Sequence, residues 1–367
     1  CLLVLCAGAA CSAAVADDRP NVLMICVDDL RTVLGCYGDS VVKTPNLDRL
    51  ATDAVVFQRA YCQVASCCPS RTSLLTGLRP ETTGVFSNGS PHFRERVPDC
   101  VTLPGLFRDQ GWFCMELGKV FHRRDPRSWS AAKWIPEPPF AYPIYGSPEL
   151  QAQQRETKVT RKPADWWGFE RWVKVASREA ADVPDEALFD GMLARQGAAV
   201  IREHGKQPVF LAVGFFRPHL PFIAPKKDHE LYPLEELELP ENDEAPQGAV
   251  AAALHDSPEL RSYVDIPARG PLSQQLQKEL LQAYYASVSY VDAQIGLLLD
   301  ELEQLQIAER TIVVLWSDHG YHFGEHGLWG KDTAFEEATR STLLVKVPSG
   351  VAAVETRGAK ANGIVEL

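Results

Sequence analysis

Apolar residues along this chain fall in short, nearly unbroken runs, and three of the runs end in clusters of polar side chains. Residues 21–27 are almost continuously apolar and stop at Asp28-Asp29; residues 311–316 repeat the pattern and lead into Ser317-Asp318-His319-Gly320; residues 209–214 are followed by Phe215-Phe216-Arg217-Pro218-His219. A run of this kind predicts a strand covered on both faces, as in a mainly parallel sheet. Residues 54–58, 113–117 and 343–347 are further predicted strands. Polar clusters directly after such strands belong at the carboxyl edge of an open α/β sheet, where ligands bind.

Helical spacing of apolar residues fills the intervals. Residues 276–305 contain Gly296 as their only Gly or Pro, and their periodicity predicts one long helix or two consecutive ones. Residues 129–143 are rich in Pro and aromatics, and 236–270 in Pro, Ala and acidic side chains, which predicts irregular surface excursions. No internal repeat interrupts the pattern. The fold class that follows is α/β, with a central mainly parallel sheet flanked by helices.

With 367 residues the chain can bury a substantial core as one large domain. Its net charge of -11 argues against general nucleic-acid affinity, which needs a basic face, so an anionic ligand requires a local cationic pocket. Residues 1–16 form an apolar run ending in Ala14-Val15-Ala16 before Asp17-Asp18, the pattern of a truncated secretory signal peptide. That run is too short to span a bilayer, no other segment is long and apolar enough, and Gly8-Ala9-Ala10 before Cys11 is a poor lipid-attachment signal, so no stable membrane span is expected. Outside the leader remain Cys26, Cys36, Cys62, Cys67, Cys68, Cys100 and Cys114. An odd count in an exported protein suggests one thiol with a separate fate.

Two of those cysteines open the segment Cys67-Cys68-Pro69-Ser70-Arg71, which continues through Leu75 to Thr76-Gly77. Pro69 suits a first helical turn and the following residues continue a helix, so Cys67 lies at a helix N-terminus, where free N–H groups and the macrodipole favour negative charge. The local residues leave two readings open: an anionic nucleophile, or a buried structural cysteine pair or half-disulfide. Asp28, Asp29, Asp318 and His319 sit at the ends of two predicted strands, and three carboxylates with an imidazole suit a divalent cation, Ca²⁺ or Mg²⁺ by the oxygen donors, Mn²⁺ or Zn²⁺ by the imidazole. Asp28-Asp29 alone is equally a strand-end cap. Lys119 and His122 follow the strand predicted at 113–117, His219 the one at 209–214, and Lys331 closes Gly324-Glu325-His326-Gly327-Leu328-Trp329-Gly330. Taken singly, such side chains are ordinary solvated surface.

The string C-x-P-S-R-x-x-x-L-T-G at residues 67–77 resembles the maturation motif of the type I sulfatases. Only one alignment places Pro two and Arg four positions after the cysteine, and it selects Cys67, leaving Cys68 at a free position. Gly118 to His122 resembles the family's G-K-x-x-H element, and Pro218 to Phe222 its P-H-x-P-F element; the likeness runs over about residues 19–347. The resemblance implies an alkaline-phosphatase-like sandwich, with residues 17–367 as the catalytic domain and a smaller C-terminal subdomain missing. It also implies that Cys67 is oxidised by a maturation enzyme to Cα-formylglycine, and that Asp28, Asp29, Asp318, His319 and the mature residue 67 hold one Ca²⁺. Arg71, Lys119 and Lys331 would supply the positive field, His122 the base, and His219 a contact to sulfate or a proton for the leaving alcohol. Asp-His at 318 and 319, with Leu34 to Asp39 and Arg79 to Thr83, stands nearest the iduronate-2-sulfatase branch and its bacterial relatives.

The expected activity is hydrolysis of sulfate esters on sulfated glycans such as glycosaminoglycans, by an exported enzyme of the periplasm or exterior, with a lysosome as the alternative compartment. Two other classes stay in view. A zinc- or manganese-dependent phosphoesterase or phosphonate hydrolase of the same superfamily would not need an oxidised Cys67. A catalytically silent binder of sulfated glycans would be an unmatured relative that keeps the metal and the pocket, but the joint presence of Lys119, His122, His219 and Lys331 argues against it. Trp129, Trp134, Trp166, Trp167 and Trp172 could stack on sugar rings, though packing of the excursion explains them as well. His322 and His326 are spaced like zinc ligands but read as part of a glycine-rich loop around the site.

Overall fold

The computed structural model describes residues 18–131, 134, 145–156, 175–349, 351 and 357–367. Its strands, in chain order, are β1 (Asn21–Val27), β2 (Val55–Tyr61), β3 (Phe113–Gly118), β4 (Arg178–Ala181), β5 (Val209–Phe215), β6 (Phe222–Pro225), β7 (Thr311–Ser317), β8 (His322–Phe323), β9 (Trp329–Gly330), β10 (Arg340–Ser341), β11 (Leu343–Lys346) and β12 (Lys360–Glu366). Eight of them form one sheet in the order β10-β2-β11-β7-β1-β5-β3, with β12 also paired to β2. The central strands β7, β1, β5 and β3 run parallel, whereas β11 pairs antiparallel with both β7 and β2.

Strand alternation explains why β1 and β5 are buried at every position and apolar at nearly all. Leu23, Ile25 and Val27, with Leu211, Val213 and Phe215, enter the core on one face of the sheet. Val22, Met24 and Cys26, with Phe210 and Ala212, enter a second core on the other, together with Trp316, Phe93 and Trp129. Burying each large aliphatic or aromatic side chain contributes about 1.5–3 kcal/mol, so covering both faces fixes the register firmly.

Register decides where the chemistry lies. Val27 is level with Phe215 on one side and with Ser317 on the other, and Gly118 is level with Gly214. The residues that follow β1, β3, β5 and β7 therefore emerge together at the carboxyl edge. At this edge Gly214 lets two backbones close up: a Cβ on it would fall 2.0 Å from Lys119 O.

The expectation for 276–305 resolves as a single helix, Gln274–Gln304, whose N-cap Ser273 accepts from Leu276 N at 3.2 Å. Gly296 lies within it because the helix Pro45–Asp53 crosses there; a Cβ would meet the Asn46 side chain. Between β6 and this helix the chain has one α-helical turn, Lys226–His229, and then short 3₁₀ turns at Leu234–Glu236, Ala251–Ala253 and Leu260–Ser262, in keeping with the predicted excursion. Trp129 is buried against Phe121 and Phe210, so it packs the core. Trp134 forms a bridge with Leu117, while Trp166, Trp167, Trp172 and the leader-like residues 1–16 lie outside the described residues. All seven described cysteines are free thiols, and no helix among the described residues is long and apolar enough to cross a membrane.

Candidate active site

The helix Cys67–Thr76 begins where β2 has left the sheet, and it is buried almost all round. Asn88 Oδ1 accepts from Cys68 N at 2.8 Å, satisfying one of the open N–H groups of its first turn. Cys67 and Arg71 lie four residues apart and therefore share one helix face. From that face Cys67 Sγ sits 3.5 Å from both Asp28 Oδ1 and Lys119 Nζ. Arg71 is fully buried; it donates from Nε to Asp318 Oδ2 at 2.7 Å, from Nη2 to Asp28 Oδ1 at 3.2 Å and from Nη1 to Val120 O at 3.1 Å and to Lys119 O. Ser70 Oγ donates to Asp318 O at 2.5 Å, which fastens the helix to the end of β7.

Cations and imidazoles close the opposite wall. Lys119 Nζ donates to Asp28 Oδ2, and Lys331 Nζ to both oxygens of Asp29, at 2.7 and 2.8 Å. His122 is buried and hydrogen-bonded to Cys67. His219 pairs through Nδ1 with Leu220 O at 2.6 Å and presents Nε2 to Glu259 at 3.4 Å. The turn that carries it is held by the buried Asp190, which accepts from Phe216 N at 3.0 Å and Arg217 N at 2.8 Å.

Charge in this dry space shifts almost every group. Burial works against the Cys67 thiolate, but Lys119 and Lys331 and the hydrogen bonds from His122 and His219 outweigh it and hold the thiol well below its ordinary range. Cys68, its neighbour, is pushed up to about 11 by burial. Burial brings His122 down to about 4 despite Cys67, so it is neutral at neutral pH. Burial likewise disfavours the charged form of His319, yet Asp318 and Asp29 raise it to about 10. Asp318 rises to about 7 under burial, with Arg71 opposing.

The carboxylates thus demand a positive partner, and the His319 geometry indicates which kind. His319 Nδ1 is 3.0 Å from Gly320 O, which places its proton there. Its Nε2 is buried without a hydrogen-bond partner among the described residues, 3.5 Å from Asp29 Oδ1 and 3.7 Å from Asp318 Oδ1. One donor atom from each of Asp28, Cys67, Asp318 and His319 lies within 4.8 Å of the others, and Asp28, Asp29, Cys67 and His219 make an overlapping set. With His319 raised in this way the carboxylates hold a proton on Nε2, and a divalent cation taking mixed oxygen and nitrogen donors would fit in that proton's place.

Every residue singled out from the sequence, Asp28, Asp29, Cys67, Arg71, Lys119, His122, His219, Asp318, His319 and Lys331, comes to this one edge. His322 and His326 do not: His322 Nε2 pairs with Thr333 Oγ1 at 2.9 Å, and both rings pack on Phe335. Sequence reasoning missed Glu259, Asp190 and Tyr284, whose hydroxyl donates to Asp29 O at 2.7 Å and accepts from Arg31 N at 2.9 Å. Within the long helix Tyr284 is one of many buried residues, so periodicity alone does not single it out.

The architecture is the alkaline-phosphatase-like α/β fold, with its polar site at the carboxyl edge of the central strands. The chain belongs to the sulfatase family, whose profile matches residues 20–365. It is similar to iduronate 2-sulfatase of Homo sapiens, 37% identical over 359 residues that make up 94% of this chain and 62% of that protein. It is also similar to a sulfatase of Formosa agariphila, 34% identical over 352 residues, 90% of this chain and 65% of that one. The chain therefore spans less than two thirds of the length of these relatives. Among solved structures, a phosphonate monoester hydrolase of Agrobacterium radiobacter superposes with a TM-score of 0.71 at 23% identity, covering 95% of this chain and 71% of the other; that likeness speaks to the fold alone.

Proposed function

We propose that this chain carries the catalytic domain of an enzyme that hydrolyses sulfate esters of acidic saccharides, with Cys67 matured to Cα-formylglycine and one Ca²⁺ held by Asp28, Asp29, Asp318, His319 and residue 67. The observation that carries the reading is the position of Cys67: a buried side chain at a helix N-terminus, 3.5 Å from a carboxylate of the donor cluster and 3.5 Å from Lys119. Similarity to iduronate 2-sulfatase supports a sulfated uronic acid as the substrate class. The leader-like pattern of residues 1–16 supports action in the periplasm or outside the cell, after maturation by a formylglycine-generating enzyme.

In this reading the hydrated aldehyde supplies a nucleophilic hydroxyl and a second one through which sulfate is expelled. A bound cation supplies charge to neutralise the sulfate oxygens. The chain's own residues do the rest. Lys119 and Lys331, each already anchored on a carboxylate, aim their ammonium groups at the oxygens on which charge develops, where one such contact is worth about 10²–10³ in rate. Arg71 holds Asp28 and Asp318 in place rather than touching substrate, since it is fully buried and four of its five N–H donors go to protein acceptors. His219 faces the open side and gives a proton to the departing alcohol; His122, kept neutral by burial, takes one beside residue 67.

The test pairs a sulfate ester and a phosphate ester of the same alcohol and follows inorganic sulfate and phosphate release by the full-length, matured protein. Sulfate release that disappears in Cys67→Ala is the expected result. Release of phosphate alone, untouched by that substitution, contradicts the reading and favours a phosphoesterase.

A further inference from the structure

The carboxylates at the sheet edge are not alike. Asp28, Asp29 and Asp318 are fully buried, whereas Glu259 keeps 31% of its side chain open to solvent. One of its oxygens is 3.4 Å from His219 Nε2 and the other 3.3 Å from Lys331 Nζ. Glu259 therefore forms the outer wall of the pocket, between the two side chains assigned above to the leaving alcohol and to sulfate. The three buried carboxylates belong to the donor clusters proposed above to hold a cation; Glu259 lies outside them.

Glu259 is also held in place. His255 Nε2 pairs with Lys331 O at 2.6 Å, and Ser257 Oγ accepts from Trp329 N at 2.8 Å, which pins the ledge before Glu259 to β9 and to Lys331 just after it. Ser257 N donates to His255 Nδ1 at 2.9 Å, and Arg261 N donates to Ser257 O at 3.0 Å, closing the ledge on itself. A second observation points to a ligand at this wall. The Tyr321 hydroxyl is fully buried without a hydrogen-bond partner among the described residues, and it lies in the field of Glu259, Asp29 and Lys331. Native structures seldom leave such a group unpaired unless something arrives to pair it.

We propose that Glu259 is a specificity-determining residue, which accepts a hydrogen bond from a free hydroxyl on the sugar carbon next to the sulfate ester and turns away substrates with a second anionic group at that carbon. An ionised carboxylate offers about four acceptor positions and no donor, so such a group can take a substrate O–H but not another anion. A site built to bond a substrate hydroxyl discriminates strongly against the analogue that lacks it.

The inference rests on the sulfate-ester reading, and a binding experiment separates the two. The full chain bearing Cys67→Ala, loaded with Ca²⁺, is titrated calorimetrically with three methyl pyranosides: a monosulfate with a free vicinal hydroxyl, its vicinal deoxy analogue, and the vicinal disulfate. The hydroxyl compound is expected to bind about 10- to 100-fold more tightly than the deoxy one, the range of a hydrogen bond to a charged group. Adding Glu259→Ala should collapse that ratio towards one and improve binding of the disulfate. Glu259→Gln, which keeps an acceptor without the charge, should retain part of the hydroxyl preference and lose the rejection of the disulfate. Equal weakening of all three ligands by Glu259→Ala would mean that Glu259 only steadies His219 and Lys331, and would overturn the proposal. A parent protein that binds the hydroxyl and deoxy compounds alike overturns it too. A parent that binds none of them overturns the sulfate-ester reading itself, and this inference falls with it.

Discussion

Arg71 and Asp318 form an ion pair with both side chains fully buried, Nε to Oδ2 at 2.7 Å, and the same guanidinium reaches Asp28 at 3.2 Å. Two carboxylates that would otherwise repel across the site are thereby held by one rigid fork, and Lys119 O and Val120 O take the donors of Nη1. Arginine suits this place because its planar donors can serve several acceptors at once.

Removing that fork takes its guanidinium partner from each of two buried carboxylates, leaving Asp28 to Lys119 and Asp318 beside His319. Arg71→Ala is expected to lower unfolding free energy by about 3–5 kcal/mol, the usual cost of breaking a buried pair on one side. Urea denaturation measures it, and a loss below about 1 kcal/mol, the worth of an exposed pair, would show that water reaches the pair.

The two adjacent cysteines should behave differently. Cys67 projects among charged groups, while Cys68 packs in the apolar core beside Leu75. Cys67→Ala is expected to cut sulfate release by about a thousandfold or more while leaving the fold intact. Cys68→Ala should keep most of the activity. Equal losses in steady-state assays would remove Cys67 from its assigned role.

Asp318 offers one oxygen to Arg71 and the other to the Asp29 N–H and the donor cluster. Asp318→Asn should weaken Ca²⁺ binding by at least about 10- to 100-fold, the penalty already seen for groups that merely support a ligand. Isothermal titration with Ca²⁺ reads this directly, and unchanged affinity would exclude Asp318 from the donor set.

Away from the site, Asp228 provides a pH test of stability. Burial pushes its carboxyl up to about 6, with Lys227 opposing and Asp185 adding to the rise. A carboxyl raised on folding binds its proton more tightly in the native state, so its contribution is full below the unfolded value and is lost as pH climbs through about 6. Asp228→Asn cannot titrate. Its melting temperature should therefore gain on that of the wild type between pH 4 and pH 7 and stay level above; a constant difference across that range would contradict the assignment.

Much of this architecture can be read from the chain because burial on both faces leaves a plain signature. The apolar runs of β1, β5 and β7 and the polar residues after them are such a case, and parallel register then brings Asp28, His219 and Asp318 to one edge. Cys67 and Arg71 are legible through the i, i+4 spacing of a helix face. Glu259 was not, since it is one of many acids in the irregular stretch 236–270 and its contacts with His219 and Lys331 appear only in the folded chain. The edge strand β12 escaped for a different reason. Its residues are mostly exposed or half-buried, and its register shifts between Ala361 and Ile364, so no alternation marks it. β8 and β9 are two residues each, too short for any period to register.

The central claim is that residue 67 is the maturation site, and the mass of the peptide covering residues 61–71, taken from full-length protein made in its native host, tests it most directly. The account predicts an aldehyde at position 67 with Cys68 still a thiol. An unmodified Cys67 in protein that nonetheless turns over its substrate would contradict it.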